Sequence, residues 1–110
     1  MINRSAMIIK VKEPFLNWLR SLPDPEDNVT LDEINSDGTI YLMPPYEMDN
    51  ERERILENYY DIVFENELAE WWTNPDDWPK RRDLEIFKEW FDIEFRSLVE
   101  DLVELPFEHE

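Results

Sequence analysis

The segment Asp83–Glu104, DLEIFKEWFDIEFRSLVEDLVE, decides how the rest of this chain is read. Leu84, Phe87, Phe91, Leu98 and Leu102 recur at steps of three, four and seven; Leu105 continues the series, and Phe95 widens it into one apolar stripe of an α-helix. Asp83 is placed to cap the first turn and Pro106 to stop the last, so the spacing predicts a long helix over 83–104 and a loose tail over 106–110. On that helix Glu94 falls within the apolar arc beside Phe87, Trp90, Phe91 and Leu98, and Asp101, seven residues on, faces the same way.

The stretch before it, 49–72, contains neither proline nor glycine and predicts a second long helix. Ile55, Leu56, Tyr59, Ile62 and Val63 share one face, whereas Phe64, Leu68, Trp71 and Trp72 lie on a face rotated from it. One straight packing partner cannot cover both. Either a bend near Phe64 to Asn66 or a last turn wrapped by the loop Asn74–Pro79, with Trp78 returning to the core, resolves this. Glu67 and Glu70 then point inward, like Glu94 and Asp101. An ionised carboxylate in such a place needs a donor or a raised pKa.

Upstream, Met7, Ile9 and Val11 alternate with Lys10 and Lys12, which predicts a strand over 7–12 after a loose tail at 1–6. Pro14 suits the first turn of a short helix carrying Phe15, Trp18, Leu19 and Leu22. Thr30 and Glu33 form a capping box, Asp37-Gly38 a turn, and Thr39–Met43 has strand composition. The expectation is a single α+β domain over 1–110: two long packed helices (49–72 and 83–104), a two-stranded sheet (7–12 and 39–43) of either orientation, and one or two small helices.

Charge is the other signal. The chain has 11 basic and 28 acidic residues, a formal net charge of −17, while 14% of its residues are aromatic. The aromatics supply enough burial to argue against disorder. The acidic field repels nucleic acid and anionic membrane and attracts basic partners. No apolar run is long enough to span a membrane, and a cytoplasmic location is expected, without direct nucleic-acid or membrane binding. There is no cysteine, and the sole histidine, His109, stands in the tail, so no zinc site, cofactor site or activated nucleophile is expected. Lys80-Arg81-Arg82 is the one basic cluster, suited to neutralising the acidic surface. Glu53, Glu57, Asp61 and Glu65 stand at strict four-residue spacing. Such a row forms an acidic ridge about 6 Å per step, near the spacing of phosphates along a nucleic-acid strand.

Pro14-Phe15-Leu16-Asn17-Trp18-Leu19, Ile40–Pro44, and Trp78-Pro79 followed by Arg82, Phe87, Trp90-Phe91-Asp92, Glu94, Ser97, Val99 and Asp101-Leu102 resemble a pattern in a group of small acidic prokaryotic proteins of uncharacterised function. The resemblance covers most of the chain from Met7 onward and implies one compact domain, but no activity, cofactor or partner. The functional expectation is a non-enzymatic module that binds a basic partner protein through the ridge. A nucleic-acid mimic that blocks a DNA- or RNA-binding protein is the alternative, and an enzyme using an inward carboxylate, Glu94, the third.

Overall fold

A long central strand flanked by two shorter ones organises the molecule. The computed structural model describes residues 2–23 and 29–103. In chain order the elements are β1 (Ser5–Val11), α1 (Glu13–Arg20), α2 (Leu31–Asn35), β2 (Ile40–Met43), α3 (Asn50–Trp71), a 3-10 turn (Pro75–Asp77), α4 (Leu84–Trp90) and β3 (Phe91–Arg96). The fold is α+β, with four α-helices and a three-stranded sheet among the described residues.

The sheet has the order β2-β1-β3, and both ladders are antiparallel. Met7 faces Tyr41 on one side and Phe95 on the other; Ile9 faces Ile93 and Val11 faces Phe91. Alternation therefore places Met7, Ile9, Val11, Tyr41, Met43, Phe91, Ile93 and Phe95 on one face, which carries the core. Ile8, Lys10, Ile40, Leu42, Asp92, Glu94 and Arg96 occupy the other. Ile55, Leu56, Val63, Phe64 and Leu68 of α3 close the opposite side of the core, with Phe15, Leu16, Trp18 and Leu19 of α1. Phe64 meets Phe91 edge to face at 5.4 Å between ring centroids, and Phe87 lies 4.9 Å from Phe91. Edge-to-face contact suits rings with negative faces and positive rims, and burying each such side chain contributes about 2–3 kcal/mol.

The segment 83–104 is not one helix. Asp83 does cap α4, accepting from the Ile86 N–H at 2.9 Å, but at Phe91 the backbone becomes extended (φ −135°, ψ 140°) and the strand begins. Phe91 and Phe95 are four apart and satisfy helical spacing, which is why the stripe looks continuous. Ile93 is what the helix cannot place: at about 100° per residue it lies roughly opposite Phe91, in solvent. A strand puts Phe91, Ile93 and Phe95 on one face and Asp92, Glu94 and Arg96 on the other, matching their burial. β1 also needs a partner on its second edge, and the six-residue ladder with β3 supplies it. The sheet consequently has three strands where two were expected. Beyond it, Leu98 and Leu102 are exposed, and Asp101 lies outside any helix, its Oδ1 accepting from the Val103 N–H at 2.9 Å.

The other long helix is found as expected, over 22 residues, and its two apolar faces are reconciled by the wrapped last turn. Trp78 donates its indole N–H to the Trp72 carbonyl at 2.7 Å, and Trp72 donates to Asp77 Oδ2 at 2.8 Å. Strand β1 starts at Ser5, so Ser5 and Ala6, expected in a loose tail, belong to the sheet. Ser5 is fully buried, and its hydroxyl donates to the Pro44 carbonyl at 2.8 Å. The tail 106–110 lies outside the described residues.

Candidate functional site

An open cavity of about 400 Å³ lies where β2 begins and α3 ends. Apolar walls come from Ile9 and Val11 of β1, Ile34 of α2 and Trp71 of α3. Its polar groups are Asn35, Asp37, Thr39, Glu67 and Glu70. Two local devices hold it open. The Asn35 side chain accepts from the Val11 N–H at 2.8 Å and donates to the Val11 carbonyl at 3.1 Å, so its amide serves the end of β1 as a neighbouring strand would. Gly38 lets the incoming chain pass close by: a Cβ there would stand 3.2 Å from the Ile9 carbonyl oxygen.

Glu67 is the buried acid of this cavity, only 7% exposed. The Tyr41 hydroxyl donates to its Oε2 at 2.7 Å, a length suited to a charge-assisted bond. Burial raises the Glu67 pKa and the negative charge of Glu70 adds to the rise, while the Tyr41 hydrogen bond opposes it. Burial and the same carboxylate raise the Tyr41 phenol above its ordinary value. Glu70 is exposed at the rim, where Thr39 donates to its Oε1 at 3.5 Å. Three carboxylates at or in a half-apolar cavity suit a cationic group on an aliphatic stem, the shape of a Lys or Arg side chain.

Of the inward acids expected from the sequence, Glu67 is buried, whereas Glu70, one turn from it, is exposed at the rim of the same cavity. Glu94 and Asp101 are not part of that cavity. Glu94 projects from the solvent face of β3, opposite Ile8 in register, and pairs with Arg96 at 3.3 Å. With the helix gone at Phe91, neither residue occupies an apolar arc. Tyr41, Thr39 and Asn35 were not singled out from the sequence. Tyr41 had a legible signal: strand alternation sets it on the core side beside Met43, where its hydroxyl requires an acceptor.

The four-residue acidic row does lie along α3, and all four side chains are exposed. Glu53 is met by Lys88 at 2.7 Å and Glu65 by Arg82 at 3.7 Å. Glu57 and Asp61 have no ion pair among the described residues. Among those residues no group of three or more His, Cys, Asp and Glu is arranged to hold a metal ion, and no helix is long and apolar enough to cross a membrane. The chain matches no protein-family model, no curated protein and no solved structure.

Proposed function

We propose that the protein is a non-enzymatic interaction module whose acidic surface binds a basic partner protein. The observation that carries this reading is the excess of 28 acidic over 11 basic residues, with Glu57 and Asp61 on the exposed side of α3 and in no ion pair among the described residues. The cavity at Glu67, Glu70 and Asp37 adds a place for one cationic side chain of that partner. The pairing of Glu53 with Lys88 and of Glu65 with Arg82 interrupts the even row of charge that imitation of a phosphate backbone needs. It favours general charge complementarity with a basic protein over the nucleic-acid-mimic reading. Glu94, the residue on which the enzyme reading rests, is exposed and ion-paired with Arg96 and lends that reading no support.

Affinity purification from a prokaryotic lysate at graded ionic strength tests the proposal. Basic proteins should be retained at low salt and released as salt rises, because contacts between exposed charges are screened over about 10 Å at 0.1 M. The double substitution E57K/D61K should reduce that retention. A bound fraction no more basic than that of a neutral control protein, or one indifferent to salt, would refute it.

A further inference from the structure

The two outer strands of the sheet are guarded very differently. β3 carries Asp92, Glu94 and Arg96 in alternation on its solvent face, and such charges discourage another chain from pairing with an edge. β2, Ile40–Met43, has no charged residue, and no strand among the described residues pairs with its outer edge. On its solvent face Ile40 is 59% and Leu42 49% exposed. On its helix side a groove of about 380 Å³ runs between the strand and α3, walled by Tyr41, Pro45, Tyr59 and Ile62, the last 54% exposed. An unpaired backbone edge with apolar surface on both flanks is the arrangement that accepts an added strand.

The charge around the groove selects the occupant. Asp37 and Glu70 stand at the end where β2 begins, and the chain as a whole carries a net charge of −17. Arg4 is the cation of the groove lining, at the proline end. A second copy of this chain would bring two net charges of −17 together across the edge, whereas a basic segment would be drawn to it. We propose that the open edge of β2, with Ile62 and Tyr59 of α3 beside it, takes a basic, extended segment of a partner protein as a fourth strand. Alternate apolar residues of that segment enter the groove. The lysines or arginines between them lay their aliphatic stems over Ile40 and Leu42, and their charge is drawn by the acidic field of the whole chain. This deepens the basic-partner reading and rests on it.

The probe is a synthetic heptapeptide of alternating valine and lysine, with a control of equal charge and composition whose alternate amides are N-methylated and so cannot donate to an edge. Binding to the full chain is followed by amide hydrogen exchange and by titration at low salt. Strand addition predicts slowed exchange at Ile40–Met43, and binding weakened about ten-fold or more by N-methylation, one pairing donor set lost. It also predicts weaker binding to Ile62→Glu, although that variant is more acidic. Ile62 is exposed, so the substitution leaves the core untouched. Equal affinity of the N-methylated peptide, or tighter binding to Ile62→Glu, would overturn strand addition and leave the basic-partner reading standing. Failure of both peptides and of polylysine to bind would overturn both. A dimer in solution without peptide, dissolved by Ile62→Glu, would assign the edge to a second copy and overturn the proposal.

Discussion

Replacing Tyr41 with Phe removes one oxygen and leaves the Glu67 carboxylate without the donor that now lies 2.7 Å from it. A hydrogen bond to a charged group contributes about 1.5–3 kcal/mol, and leaving a buried acceptor unmet incurs its desolvation penalty. Glu67 is only 7% exposed, so water replaces little of the lost bond, and a loss of about 2 kcal/mol at pH 7 is expected. For a chain of this size that lowers the melting temperature by roughly 8–10 °C. The pH dependence has a definite sign. Burial raises the folded pKa of Glu67 above its ordinary 4.5, so its contribution to stability is fully present below that value and is lost as pH rises through the folded one. Without Tyr41 the folded pKa rises further. The difference between wild type and Tyr41→Phe should therefore be largest where the carboxylate is ionised and shrink towards pH 4. Glu67→Gln, which keeps an acceptor oxygen and cannot ionise, should flatten that dependence. Thermal and urea unfolding of the four proteins of the cycle between pH 4 and 8 measures it. A Tyr41→Phe loss that is the same at every pH, or absent, would refute the assignment of this contact as a hydrogen bond to a buried carboxylate.

Further expectations concern the fold. Ile93→Lys should destabilise by about 2–3 kcal/mol, because the strand turns that position towards the core, whereas Glu94→Lys should be tolerated; unfolding midpoints separate the two. A helix over the same residues would reverse them. Tyr46→Phe should raise stability by about 1 kcal/mol in denaturant unfolding, since the buried Tyr46 hydroxyl has no hydrogen-bond partner among the described residues. Asp83→Ala should lower the melting temperature by removing the cap on α4. The bonds from the Ile86 N–H and the Arg81 guanidinium hold the Asp83 carboxyl below its usual value. That stabilisation is present above the unfolded pKa and is lost as pH falls through the folded one, so wild type and variant should converge in acid.

Helix α3 was legible because its interior has no breaker and its apolar residues recur at helical spacing, on two faces rotated from each other. That spacing also placed Glu67 on the buried side, whereas Glu70, expected inward with it, is exposed. Strand β1 was legible from its alternation, and β2 from its composition after the Asp37-Gly38 turn. β3 was not, because Phe87, Phe91 and Phe95 satisfy both helical and extended spacing, and only Ile93 distinguishes them. The decision is made outside the segment, by the second edge of β1, and a local periodicity carries no record of that demand. The partner of Glu67 was hidden for a related reason: Tyr41 lies 26 positions away in sequence and meets it only once β2 is laid against α3. The acidic row was correctly placed on an exposed surface, but its pairing with Lys88 and Arg82 depended on where α4 and the loop before it would lie.

The middle strand of the sheet leaves the ribosome about eighty residues before one of its two neighbours: Ala6 pairs with Arg96 and Val11 with Phe91. Until those residues emerge, Met7, Ile9 and Val11 have an unzipped flank, and the ring of Phe91 is missing from between Phe64 and Phe87. Closure over so long a separation is slow compared with winding of α3. A nascent chain halted before Phe91 would hold a finished rod and an unfinished sheet, the condition in which recruitment by a chaperone, or adhesion to another unfinished chain, is most favoured.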